Sequence, residues 1–310
     1  MRLLLTGGGG AGNEAIDRLL GDAHECHFAD ADPSAIDPAI PRDRRHAIPF
    51  ANEPGFADAV LDLARGLGVD VVVPGVDEEL LALAAHREGE PRVMVPQADF
   101  VSTMLDKLAS ARAIAAAGLD APETRTLDAF EGMAFPLVAK PRSGRGSRGV
   151  MVLDAPGQVA AYLALQGLPA TAFVAQEMCA GQEYTVFVCA DEGARLRAVV
   201  PVRVASKKGI TIAATAEPCE PIERYAAAFQ QAFAPRGIYN IQCTLDEAGR
   251  VRPFEVNPRV STTFCLAVAT GFDPFDLPAE PGPVYRPRGA TALRRHWKNQ
   301  IDVQGTGDRT

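Results

Sequence analysis

Over the first hundred residues, short apolar runs alternate with stretches in which apolar residues recur at helical spacing. Continuous apolar runs suit strands buried on both faces, whereas the 3.6-residue period marks helices with one inward stripe. The pattern predicts strands over residues 2–6, 24–29, 70–74 and 92–96. Helices are expected over 13–20, with Ile16, Leu19 and Leu20 inward, over 56–67, and over 77–87, with Leu80, Leu81 and Ala84 inward. Strand and helix in strict alternation imply an α/β, doubly wound, Rossmann-like unit over residues 1–97.

Beyond residue 97 the pattern changes. Ser102 is placed to open a helix as its N-cap and Gly118 to close it in the left-handed conformation. After "LDAPET" come alternating strands, glycine-rich turns and fewer helices, an α+β texture that runs through residues 98–310. The segment "ALRRHWKNQIDV" is expected to add an edge strand, and the final residues to be disordered.

Composition narrows the class. A length of 310 residues and a 47% hydrophobic content suit two domains with proper cores. The formal net charge of -8 argues against a nucleic-acid or anionic-lipid surface. The opening MRLLL is too short an apolar stretch for a signal peptide, and no membrane span is expected. Six cysteines with no C-x-x-C give neither a zinc motif nor a disulfide framework, which fits a reduced, cytoplasmic setting.

Four stretches carry candidate chemistry. "TGGGGAG", after the first strand, meets the dinucleotide spacing G-x-G-x-x-G at Gly7, Gly9 and Gly12, and Asp30 ends the second strand where a ribose-binding acid would stand. In "FPLVAKPRSGRGSRGV" a strand delivers Lys140 into a loop containing Ser143, Gly144, Arg145, Gly146 and Ser147. Glycines admit phosphate oxygens close to the backbone and the lysine adds a point charge. The lysine precedes the glycines, so this is no Walker A loop but a flap between strands. "YNIQCTLDEAGRVRPFEVNPR" reads as a hairpin that puts Asn240, Gln242, Glu255 and Asn257 on one face and points Ile241, Cys243, Phe254 and Val256 into the core. A carboxylate among carboxamides suits Mg2+ completed by substrate phosphates, and Arg259 lies beside it, able to hold a transferring phosphoryl group. "AQEMCAGQEYTVFV" offers Glu177 and Glu183 around a short crossing segment. His24, Cys26 and His27 alternate along a strand and do not share a face for a metal.

In their order and spacing, these stretches together with "DKLASARAIAAAGLDAPET" and "DVVVPGVDEELLALA" resemble the ATP-grasp superfamily, in its carbamoyl-phosphate-synthetase-like branch. That resemblance implies a pre-ATP-grasp N-terminal domain followed by an ATP-grasp fold, with a lid over about 123–175. It implies ATP and Mg2+ as cofactors, with Mn2+ as an alternative ion. Lys107 and Lys140 would meet the phosphates under the loop Ser143 to Ser147. Glu177, Met178 and Cys179 would face the adenine, and Glu183 the ribose. Gln242, Glu255 and Asn257 would ligate the metal, and Arg259 would stabilise the phosphoryl group. In "VRVASKKGITIAAT", Arg203, Lys207 and Lys208 are candidates for carboxylate recognition. The helix end at Gly12 and Asn13 is a place where a substrate anion could sit.

The implied activity is a stand-alone, ADP-forming carboxylate-amine ligase working through an acyl-phosphate on an amino acid or small carboxylic acid. Its partners would be small molecules and, as is common in that superfamily, a second copy of the chain. Two other readings stay open: an NAD(P)-dependent oxidoreductase built on the glycine turn, and a non-catalytic ATP-binding sensor.

Overall fold

The computed structural model describes residues 1–296; the expectations for Trp297 onwards lie outside them. The first unit runs β1 (Arg2–Thr6), α1 (Asn13–Leu20), β2 (Glu25–Asp30), β3 (Arg45–Ala47), α2 (Phe56–Gly66), β4 (Val71–Val73), α3 (Leu80–Ala84) and β5 (Arg92–Val93). Its strands form one parallel sheet in the order β3-β2-β1-β4-β5. Leu3, Leu4 and Leu5 are all buried, as a strand covered on both faces requires. Leu3 and Leu5 join one core with Phe28, while Leu4 joins another with Val60, Val72 and Leu80.

Several sequence expectations need correction here. Leu19 and Leu81 are exposed, at 39% and 48%, and Leu83 takes the inward place instead. The helix expected over 77–87 is a 3-10 turn, Asp77–Glu79, followed by the short α3. Strand β3 was not foreseen, because "RHA" has no apolar run to mark it.

Two helices follow, α4 (Ala98–Leu105) and α5 (Lys107–Ala116), divided at Asp106. Ser102 therefore lies inside α4 and caps nothing. Asp106 is the cap: its carboxylate accepts from the N–H groups of Leu108 (2.9 Å) and Ala109 (3.2 Å). Gly118, at φ 73°, ends α5 as expected.

Strands β6 (Thr124–Thr126), β7 (Leu137–Pro141) and β8 (Met151–Leu153), helix α6 (Gln158–Gln166) and strand β9 (Phe173–Glu177) make a small antiparallel layer ordered β6-β9-β7-β8. A six-stranded antiparallel sheet comes next. It is built from β10 (Gln182–Ala190), β11 (Leu196–Lys208), β12 (Ile210–Ala216), α7 (Glu220–Phe233), β13 (Gly237–Leu245), β14 (Val251–Asn257), α8 (Phe264–Ala269) and β15 (Thr291–Arg294), in the order β14-β13-β10-β11-β12-β15. Strand β15 is the expected edge strand, pairing with β12. One face of this sheet packs on α7. Phe187, Val200 and Val202 on the other face share a continuous core with Leu3, Leu5, Ile16 and Phe28 of the first sheet.

Candidate active site

Strand β7 carries Lys140 as its penultimate residue; the lysine is 4% exposed and donates through Nζ to the Phe254 carbonyl at 2.9 Å. Burial pushes its ammonium down to about 8. The loop beyond it turns on Gly144, Gly146 and Gly149 at φ 120°, 69° and 68°, a backbone that side-chain-bearing residues rarely adopt. Lys107, at the start of α5, ties three elements together. Its Nζ donates to the Gly144 carbonyl at 2.9 Å and lies 3.1 Å from Glu255 Oε1. Lys107, Lys140, Glu255 and the loop residues Gly144, Arg145 and Ser147 close around a small cavity of about 30 Å3.

The β13–β14 hairpin has the expected register: Gln242 faces Glu255 and Asn240 faces Asn257. Asn257 donates an amide hydrogen to Asn240 at 3.3 Å, which leaves its own carboxamide oxygen to other partners. Gln242, Asn257 and Arg259 line a cavity of about 110 Å3 with Ser147 and Lys207. Among the described residues no cluster of three or more His, Cys, Asp or Glu could hold a metal. The hairpin's donor set fits a hard cation that takes only part of its shell from protein, and the Lys107 ammonium already shows a positive charge accommodated beside Glu255.

Phe254 departs from expectation. A bulge between Gln242 and Cys243 breaks the alternation, so Phe254 is half-buried instead of joining Ile241, Cys243 and Val256 in the core. Its ring lies 5.5 Å from the Lys140 ammonium and 6.0 Å from that of Lys207, within cation–π reach of both.

The first unit contributes the turn after β4. Asp77 pairs with Arg259, and the adjacent Glu78 pairs with Arg145 of the glycine loop at 2.9 Å. The Arg259 side chain also donates to the Val260 carbonyl at 2.9 Å. The next residue, Glu79, is 4% exposed and accepts from Thr6 Oγ1 at 2.5 Å; burial pushes its carboxyl up to about 7. Glu78, Glu79, Arg145 and Arg259 line a cavity of about 690 Å3 that also reaches Gly9, Asp30 and Phe50. "DVVVPGVDEELLALA" contains these acids, yet nothing in its spacing assigned them a role.

The glycine turn is a packing joint. A Cβ at Gly7 would meet Val76 at 2.6 Å, and one at Gly9 would meet Ala35 at 2.7 Å. Three of its N–H groups are engaged: Gly8 donates to the Ala29 carbonyl (2.9 Å), Gly10 to that of Gly7 (2.8 Å) and Gly9 to Asp30 (2.9 Å). The other Asp30 oxygen accepts from the Asp32 N–H at 3.0 Å. Three of the turn's donors and the acid that would hold a ribose are thus engaged within the protein, which weighs against the oxidoreductase reading. The anion imagined at Gly12 and Asn13 is also displaced. A Cβ on Gly12 would lie 3.0 Å from the Thr262 carbonyl, and the Asn13 amide donates to the carbonyls of Gly7 and Gly8.

Other candidates are placed less centrally. The Glu177 carboxylate pairs with Arg252 at 2.5 Å and accepts from the Glu123 N–H at 3.1 Å. Met178 is 49% exposed, and Cys179 stands between it and β10, half-buried. Glu183 pairs with Lys207, which keeps it near the cavity. Arg203 is not brought to the site. It stands opposite Tyr184, whose side chain packs in the core on the α7 side of the sheet, and pairs with Glu217 at 2.7 Å. Lys208 ends β11 in an exposed position.

Comparison with known proteins agrees with this architecture. Residues 170–280 match the family model described as ATP-grasp in the biosynthetic pathway with Ter operon. No curated protein matches the sequence. Among solved structures, biotin carboxylase from Campylobacter jejuni, in complex with β,γ-ATP, is 14% identical at a TM-score of 0.67, covering 94% of this chain and 74% of that one. L-amino acid ligase from Bacillus licheniformis is 18% identical at 0.63, covering 85% and 68%. Rhizobium etli pyruvate carboxylase is 16% identical at 0.65, and although 88% of this chain is covered, the match spans 27% of that protein. The chain carries the ATP-grasp fold, with a Rossmann-like first unit, as the resemblance of its motifs implied.

Proposed function

We propose that the protein is an ATP-dependent, ADP-forming carboxylate-amine ligase. The observation that carries this reading is the convergence of Lys107, Lys140, Glu255 and the glycine loop on one small cavity beside Gln242, Asn257 and Arg259. Lys140 is a buried cation with no carboxylate in ion-pair range among the described residues, an arrangement that an incoming phosphate would complete. Gln242, Glu255 and Asn257 would hold Mg2+, which supplies charge neutralisation at the phosphates when bound.

In the reaction we infer, a substrate carboxylate oxygen attacks the γ-phosphorus and ADP leaves with the electron pair of the broken P–O bond. An amine nitrogen then attacks the acyl carbon, phosphate departs with the C–O bonding pair, and the nitrogen gives up a proton. Lys140, Lys107 and Arg259 offset the repulsion between the two anions in the first step. The loop over the phosphates excludes water from the acyl-phosphate. Six free cysteines fit a reducing compartment, and we propose the cytoplasm. No helix among the described residues is long and apolar enough to cross a membrane.

The test is incubation with Mg-ATP and pooled amino acids or small carboxylic acids, following ADP and trapping acyl-phosphate with hydroxylamine. Carboxylate-dependent ADP with hydroxamate is expected; none across a broad panel sinks the ligase reading. Glu255→Gln should abolish turnover, and near-normal activity in that variant would mean that the metal site is misassigned.

A further inference from the structure

Five charged side chains are buried among the described residues: Glu79, Arg87, Lys107, Lys140 and Arg197. Arg87 pairs with Glu192, Lys107 with Glu255 and Arg197 with Asp191. Lys140 and Glu79 have no opposite charge in ion-pair range among the described residues. A buried charge without a counter-ion costs several kcal/mol, so such a residue is expected either to be neutralised or to await a ligand of opposite sign. For Lys140 the proposed ligand is a nucleotide phosphate. Glu79 poses the converse case.

Glu79 lines the cavity of about 690 Å3 and is the third acid of a turn whose first two are already spent on Arg259 and Arg145. Its own partners, the Thr6 hydroxyl and backbone N–H groups at Gly75 and Val76, hold the carboxylate in place but carry no charge. Asp30, the other acid nearby, is engaged by two backbone N–H groups and adds negative potential without neutralising anything. Around this acidic end the wall is apolar, with Ala35, Ile48, Pro49 and Phe50.

We infer that Glu79 is the recognition group for the ammonium of the amine acceptor, so that the acceptor is a compact primary amine with an apolar body, entering as a cation. The inference rests on the ligase reading. It makes the cavity bipolar, with arginines where phosphoryl transfer occurs and a carboxylate where the second substrate docks. Burial raises the Glu79 carboxyl, and an ammonium beside it would bring it back to the ionised form.

The test separates the two nucleophiles. The full chain is given Mg-ATP and the carboxylate that drives ADP release. The acyl-phosphate is then offered either hydroxylamine, which is uncharged at neutral pH, or a panel of the proteinogenic amino acids and short alkylamines. Glu79→Gln should lower kcat/KM for the amine about tenfold or more, mainly through KM, while leaving hydroxamate formation within about twofold. Glu79→Asp should recover part of the loss, and amines with apolar bodies should outperform acidic ones in the native chain. Equal loss of both reactions, in a variant that unfolds normally and binds Mg-ADP normally, would make Glu79 a scaffold residue and overturn the inference. Unchanged amine capture would overturn it too. If the native chain yields no hydroxamate with any carboxylate, the ligase reading itself fails, and this inference with it.

Discussion

Lys140 and Glu79 are residues whose folded surroundings oppose their charge, and each makes a signed prediction. The folded pKa of Lys140 is about 8, below its ordinary value. The folded state therefore binds its proton less well than the unfolded chain does. That penalty is complete below pH 8 and disappears as pH rises past the unfolded value. Near pH 7 it amounts to about 3 kcal/mol, so Lys140→Met should stabilise the ligand-free protein while abolishing nucleotide binding. Urea unfolding and Mg-ADP calorimetry on one preparation check both signs, and a destabilised variant that still binds would refute the assignment. Glu79 is an acid whose folded pKa is raised to about 7, so its favourable contribution is full below the unfolded value and is lost as pH rises through 7. The charged groups around it are Asp30 and the pairs Asp77–Arg259 and Glu78–Arg145. Stability of the ligand-free chain should thus fall between about pH 4.5 and 7 by an amount of order 3 kcal/mol more than in Glu79→Gln, as read from denaturant midpoints at matched ionic strength.

At the scale of elements, two ion pairs link the turn after β4 to Arg145 and Arg259, and burial separates their roles. The Arg259–Asp77 side chains are 13% and 11% exposed, so this pair is poorly screened and fixes the arginine's orientation. Arg145 and Glu78 are 40% and 52% exposed, which makes theirs a weak, exchangeable contact that phosphate can outcompete. Glu78→Gln is expected to tighten Mg-ADP binding by about two- to fivefold at low salt by freeing Arg145 for the phosphates. The gain should vanish in an Arg145→Ala background; an equal gain there would locate the effect elsewhere. The sequence disclosed some elements well and others poorly, for physical reasons. Strand β1 and helix α1 were readable because uninterrupted apolar runs and 3.6-residue spacing are properties of the chain itself. The pairing of Gln242 with Glu255 followed from a short turn and strict alternation. The bulge that turns Phe254 toward Lys140 did not, because an extra residue in one strand leaves no trace in alternation read from that strand alone. The parts played by Asp77, Glu78 and Glu79 were hidden for another reason: their partners lie in other units or, in the case of Glu79, at the remote Thr6.

At the scale of the molecule, the units seen in the sequence do not have separate interiors. The core that contains Leu3, Leu5, Phe28, Val71 and Val73 of the first sheet and Ile16 of α1 continues through Phe187, Val200, Val202, Phe264 and Leu266, beyond residue 97. Gly12 at the start of α1, at φ 108°, is so close to Thr262, Cys265 and Arg295 that a Cβ there would be strained and would crowd all three. Cutting the chain near residue 97 would therefore strip one face of the parallel sheet of the cover that Phe187, Val200, Val202, Phe264 and Leu266 give it, leaving α1, Ile36 and Ile40 there, while the opposite face would keep its cover from α2 and α3. A sheet with one apolar face only partly covered lacks much of the burial that offsets its conformational entropy. A fragment of residues 1–97 should accordingly show no cooperative unfolding transition, whereas the full chain should unfold in one transition that Mg-ADP shifts as a whole. Far-UV circular dichroism in a urea series on both species reads this directly. Hydrogen exchange adds a local check, since the amides of β1 and β2 should be protected in the full chain and unprotected in the fragment. A fragment that unfolds cooperatively with those amides protected would mean that the shared core is dispensable and that the first unit docks onto the rest of the chain as an independent body.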